Sequence, residues 1–182
     1  VIFLKSCASS YNSLVISLQC SIMKVYIGAD HGGYEMKEEL KKWLKENGYH
    51  GMDLGAGKLN ADDDFVDYGI DVAQMLVADP EARGIVLCRN GVGMSIVTNR
   101  LEGVRCVLGF EEKQVEKARM DDDVNCLSLP SDYIDKEKAM GLVKTFLETK
   151  FSGEERYKRR LAKLQMVGEV MGGCCGGGCG EC

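Results

Sequence analysis

Two short stretches of the chain bring together side chains able to move protons. The first is Gly28-Ala29-Asp30-His31-Gly32-Gly33, a carboxylate and an imidazole side by side between glycines. Asp and His both take protons from oxygen and return them. The plainer reading of Asp30 is a helix N-cap with an incidental histidine behind it. His31 is one of only two histidines, and the other, His50, opens a strand without polar company. The second stretch is Cys88-Arg89-Asn90-Gly91-Val92-Gly93-Met94-Ser95. A glycine-rich turn that opens a helix presents backbone N–H groups and the positive end of the dipole, suited to a phosphate or a developing oxyanion. It is not a Walker loop, since no Gly-Lys-Ser/Thr follows, and not a dinucleotide fingerprint, since the third glycine is missing. The same field favours a thiolate at Cys88, although most unpaired cysteines are small buried strand residues. Cys106 and Cys126 fit that plainer role better, because no polar loop follows either.

A third feature lies near the end of the chain, where Arg156, Lys158, Arg159, Arg160 and Lys163 cluster. Arg156 and Arg160 are i, i+4 and share a helix face. Paired guanidiniums grip phosphate through forked, charge-assisted hydrogen bonds. Taken alone, the cluster also fits a solvated helix surface partnered by Glu154 and Glu155.

These groups need elements to hold them, and the hydrophobic pattern supplies an alternation. Lys24–Ala29, Tyr49–Leu54, Gly84–Cys88, Val104–Gly109 and Val124–Leu129 read as strands. Helices are expected over 33–47, 68–78, from about 91 to 100, 111–120, 135–149 and 154 to about 167. The segment 55–67, with three consecutive aspartates at 62–64, reads as a polar loop. Strands alternating with helices predict an α/β protein: a three-layer, Rossmann-like fold with a five-stranded parallel sheet flanked by helices. Such sheets bind ligands beyond the carboxyl ends of their strands, which places function just after Ala29, Cys88 and Leu129.

With 182 residues the chain suits one domain, set at 23–168. Its 28% charged and 45% hydrophobic residues exclude wholesale disorder, and a net charge of −5 argues against nucleic-acid binding. No run is apolar enough to span a bilayer. Residues 1–22 carry only Lys5 as a charge and read as a disordered or non-native extension, with a cleaved targeting segment as the other reading. Residues 169–182 form a Gly/Cys-rich stretch, expected to be a flexible tail. Its four thiols could hold zinc or an iron–sulfur cluster, but the only CxxC is Cys179 to Cys182, so no metal and no cofactor are expected. The nine cysteines are too unevenly placed for a disulfide framework, which points to reduced thiols in the cytoplasm.

In order and spacing, several segments resemble the ribose-5-phosphate isomerase B / galactose-6-phosphate isomerase family. They are GADHGGYEMKEEL at 28–40, DDDFVDYG at 62–69, GIVLCRNGVGMSIVTNR at 84–100, GVRCVL at 103–108, ARMDDDVNCLSL at 118–129 and FSGEERYKRRL at 151–161. The resemblance implies an aldose–ketose isomerase acting on a sugar phosphate, ribose 5-phosphate first, by ring opening and proton transfer through a cis-enediolate. It implies Cys88 as the base and Asn90 beside the sugar oxygens. The amides of Gly91, Val92 and Gly93 would lie at the enediolate, and Asp30 and His31 would form the sugar-binding pair. Arg156 and Arg160 would grip the phosphate, with Tyr157 where a His is common. Arg89, Asn99 and Asp122 would complete the binding set. Asp121 stands where the family often has a ring-opening His, a task His31 could take over. Pro130-Ser131-Asp132 stands where an Arg is common. The resemblance also implies a homodimer, or a dimer of dimers, with a shared site. Two other outcomes stay open: isomerisation of a hexose or tetrose phosphate, and a non-catalytic sugar-phosphate-binding subunit.

Overall fold

The computed structural model describes residues 23–172, with side chains to 167. Both predicted terminal segments therefore lie largely outside the described residues, as do Cys7, Cys20 and the four cysteines after Gly172. The element order is β1 (Lys24–Ala29), α1 (Tyr34–Glu46), β2 (His50–Asp53), α2 (Phe65–Ala78), β3 (Arg83–Cys88), α3 (Val92–Thr98), β4 (Cys106–Leu108), α4 (Glu112–Asp122), β5 (Cys126–Pro130), α5 (Lys136–Glu148) and α6 (Glu155–Gly172). The strands form one parallel sheet in the order β2-β1-β3-β5-β4.

Side-chain alternation along the strands builds two cores. Val25, Ile27, Ala29, Ile85, Leu87, Leu127 and Leu129 face one way and pack on Leu40 and Leu44 of α1, Val115 of α4, and Leu142, Val143 and Phe146 of α5. Tyr26, Val86, Cys88 and Cys126 face the other way, onto Val72, Ala73 and Leu76 of α2 and Met94 of α3. The expected three-layer α/β architecture is what the residues form: β-branched and leucine-rich strands are apolar on both faces, so each face must be covered by a helix.

Two boundaries differ from the sequence reading. Helix α2 begins at Phe65, not at 68, because the Asp64 side chain accepts the Val66 N–H at 3.0 Å and caps it. The aspartate run is thus partly a cap rather than wholly a loop. Helix α6 continues to Gly172, so the domain boundary set at 168 falls inside a helix. A single Gly168 costs about 1 kcal/mol relative to Ala and does not stop it.

Candidate active site

The sheet order places the chain's winding reversal between β1 and β3, where the two loops predicted to carry chemistry leave their strands. Ala29 pairs with Leu87, and Cys88 pairs with Pro130. Asp30, Cys88 and Pro130 therefore stand level at the carboxyl edge, with neighbouring backbones about 5 Å apart.

At the end of β1 the turn is tight because Gly32 and Gly33 let it press against β3. A Cβ at Gly33 would lie 2.7 Å from the Leu87 Cβ and 2.8 Å from its carbonyl oxygen. Asp30, 6% exposed, accepts the Gly33 N–H at 3.1 Å. Burial pushes its carboxyl up; the Gly33 amide and His31 oppose that, and the Asp63 charge adds to it. His31 is held by the same Asp63. One carboxylate oxygen accepts the His31 backbone N–H at 3.0 Å and lies 2.7 Å from the ring Nδ1. Tyr68 stands beside them on α2. Burial raises its phenol, and Asp63, then Asp67 and Asp30, raise it further.

At the end of β3 the Cys88 side chain turns toward the α2–α3 face at the rim of the sheet, 5% exposed. Its Sγ accepts the Gly91 N–H at 3.1 Å and lies 3.8 Å from the Asn90 Oδ1. That Asn90 oxygen also accepts the Val92 N–H at 3.0 Å. Two of the three amides expected to face a ligand are thus committed within the loop, while Gly93 N–H has no acceptor among the described residues. Gly91 has φ +71°, and its carbonyl accepts the Ser128 hydroxyl at 2.6 Å. Beyond β5, Ser131 N–H bonds the Cys88 carbonyl and Asp132 N–H the Arg89 carbonyl, and the Arg89 guanidinium lies 3.6 Å from the Asp132 carboxylate. Two buried polar side-chain atoms, Asp63 Oδ2 and Ser131 Oγ, lack a hydrogen-bond partner among the described residues. Both flank these strand ends. Buried polar groups are nearly always satisfied, so unpaired ones mark a place where a ligand or water completes the set.

The remaining predicted residues lie elsewhere. Helix α4 returns from the carboxyl edge, so its last turn stands at the opposite edge, where Arg105 at the entry to β4 holds the carbonyls of Asp122 and Asp123. Asp121 there stands beside Tyr157, whose phenol is raised first by burial and then by the neighbouring Asp121. The guanidiniums of Arg156 and Arg160 stack on the Tyr157 ring, 4.5 and 5.5 Å from its centre. Arg156 also pairs with Glu154 at 2.8 Å. Asp121, Tyr157, Arg156 and Arg160 thus form a second cluster. It lies about a strand length, roughly 15 Å, from Cys88, and no hydrogen bond or ion pair among the described residues joins the two. Asp122 is exposed beside it. Asn99 is held by backbone groups: its amide caps α3 at the Ser95 carbonyl and bonds both the N–H and the carbonyl of Cys106, so it ties α3 to β4. A cavity of about 440 Å³ between α1 and β2, lined by Glu38, Lys41, Lys42, Lys45, Tyr49 and His50, takes in none of the predicted residues.

The Ribose/Galactose Isomerase family model matches residues 25–164. The chain belongs to the Ribose/Galactose Isomerase family. It is 35% identical over 139 residues to ribose-5-phosphate isomerase B of Mycobacterium tuberculosis, covering 76% of this chain and 86% of that protein. Its fold is similar to the ribose-5-phosphate isomerase B of Clostridium thermocellum, with TM-score 0.78, 33% identity, and coverage of 82% of this chain and 99% of that one. It is equally similar, at TM-score 0.78 and 30% identity, to the Mycoplasma genitalium enzyme with bound ribulose-5-phosphate, covering 81% of this chain and 97% of that one.

In this Ribose/Galactose Isomerase family member, the sequence reading did not single out Asp63 or Tyr68 as site residues. Both lie in the DDDFVDYG segment, but only the fold shows that Asp63, 32 residues from His31, reaches its ring. Among the described residues, no group of three or more His, Cys, Asp or Glu side chains is placed to hold a metal ion.

Proposed function

We propose that this chain interconverts ribose 5-phosphate and ribulose 5-phosphate, with Cys88 as the base at carbon. The observation that carries this reading is the Cys88 sulfur held on the Gly91 amide, level with Asp30, at the winding reversal of a sheet of this family. With the sugar ring open, a Cys88 thiolate takes the proton from C2 and the C–H electron pair becomes the C1=C2 bond. The negative charge gathers on O1, where the unpartnered Gly93 amide and the Asn90 side chain provide polar contacts. The O2 hydroxyl proton passes to O1, the base returns its proton to C1, and the C1=C2 pair becomes the new C1–H bond as O2 becomes the carbonyl. No cofactor enters this scheme, and a free Cys88 thiol fits a reducing, cytoplasmic setting.

Phosphate recognition falls to Arg156 and Arg160, which stand at the far edge of the sheet from Cys88. We therefore place a second copy of the chain against the first, its arginine pair completing the pocket. Val92 and Ile96, one helical turn apart on α3 and 43% and 53% exposed, leave an apolar strip beside the Cys88 loop for that contact.

The test is turnover of ribose 5-phosphate by the purified protein. Cys88→Ala is expected to lower kcat by about 10²- to 10⁴-fold, the usual worth of a positioned base. Undiminished turnover in the variant removes Cys88 as base. A panel with hexose and tetrose phosphates compares kcat/KM and identifies a different preferred sugar. Binding of ribose 5-phosphate without proton exchange at C2 identifies a non-catalytic subunit instead.

A further inference from the structure

We propose that Asp63 is the positioning residue for His31, and that the Asp63–His31 pair carries the proton transfer that opens the sugar ring. This rests on the isomerase reading above. Asp63 is 4% exposed at its side chain, and its Oδ1 fixes both the His31 backbone N–H and the ring Nδ1. A buried carboxylate on Nδ1 sets the tautomer and orientation of an imidazole, leaving Nε2 as the free working nitrogen. The ring is 25% exposed, so that nitrogen has access to a ligand at the strand ends.

Ring opening needs a group that takes the proton from the O1 hydroxyl and delivers one to the ring oxygen O4. The C1–O4 bond breaks with its electron pair on O4, and C1=O1 forms as O1 loses its proton. Both oxygens sit on C1, so one nitrogen can serve both, and the imidazole ends as it began. The other candidates are committed or remote. Asp121 is at the opposite edge of its own chain and reaches the pocket only with the second copy's arginine cluster, where it stands beside Tyr157. His50 is at the entry to the edge strand β2. One oxygen of Asp30 is tied to the Gly33 amide.

The pair can be separated from a merely structural role because the ketose skips this step. Ribulose 5-phosphate has its C5 oxygen blocked by phosphate and stays open-chain, so exchange of its C1 proton with deuterated water needs the base but no ring chemistry. Asp63→Asn is expected to slow isomerisation of ribose 5-phosphate by about 100-fold, while C1 exchange of ribulose 5-phosphate falls by no more than a few fold; His31→Asn is expected to slow the isomerisation at least as much. Asp63→Glu, which restores a carboxylate, is expected to recover part of the isomerisation. Equal losses in both assays, or no loss in either, overturn the inference and leave the isomerase reading standing. Absence of both reactions in the unaltered protein removes both.

Discussion

Cys88 gains its chemistry from the residues that close the turn after it. The sulfur takes the Gly91 amide, and Gly91 can offer it because it holds φ +71°. A Cβ there would collide with Leu108 and stand 3.2 Å from the Pro130 nitrogen. Gly91→Ala is expected to destabilise the fold by about 1–3 kcal/mol, read by chemical denaturation, and to lower turnover beyond any loss of folded protein. Cys88 and the Asp30-His31 pair stood out in the sequence because each sits beside glycines at the end of an apolar run, and the fold places them level at one edge of the sheet. Asp63 did not, because a carboxylate in a run of three aspartates looks solvated until a contact across 32 residues puts it on His31. The bonds of Asn99 to the backbone of β4 were equally hidden, since they join it to Cys106 across a turn that local pattern does not describe.

At the scale of elements, the join between α1 and β2 is tied by a buried lysine to the strand end that carries Asp30. Lys37 of α1 is fully buried, and its Nζ donates to both Asp53 oxygens at 2.9 and 2.7 Å and to the Ala56 carbonyl at 2.7 Å. The Ala56 N–H in turn bonds the Ala29 carbonyl, just before Asp30. The ion pair thus braces the loop that backs the aspartate–histidine corner. Burial pushes the Asp53 carboxyl up, but hydrogen bonds from Lys37, Lys41 and the Gly55 amide outweigh it and hold it below the usual range. A lowered carboxylate contributes stability that is complete above its unfolded pKa, near 4, and is lost as pH falls through the folded value. The melting temperature is expected to drop below about pH 4, with a shallower acid limb in Asp53→Asn. That variant also leaves buried Lys37 with Glu38, 3.2 Å away, as its remaining charge partner. Its expected loss at neutral pH is about 3 kcal/mol, the low end for such a break because Asp53 is partly exposed.

The whole molecule separates what one mechanism needs. Cys88, Asp30 and His31 stand at the carboxyl edge of the sheet, while Arg156, Arg160 and Asp121 stand at the other, because a helix following a parallel strand must run back to the start of the next. A site shared between two copies predicts complementation. Cys88→Ala and the double variant Arg156→Ala/Arg160→Ala are each expected to be nearly inactive, the latter mainly through KM. Refolded together in equal amounts, they are expected to recover about a quarter of full activity, since half the dimers then carry one intact site of two. No recovery on mixing, with dimers confirmed by sedimentation, would place both clusters' roles within one chain.

Apolar periodicity by itself determined the alternation of strands and helices and hence the three layers, since a strand apolar on both faces has only one way to leave water. Glycines beside Asp, His and Cys marked the turns where backbone and side-chain chemistry coincide. Tertiary structure decided the pairing of Asp63 with His31, the consumption of two loop amides by Cys88 and Asn90, and the distance between the thiol and the arginines. Those depend on strand order, register and the direction in which each helix returns, relations between distant segments that local pattern does not encode.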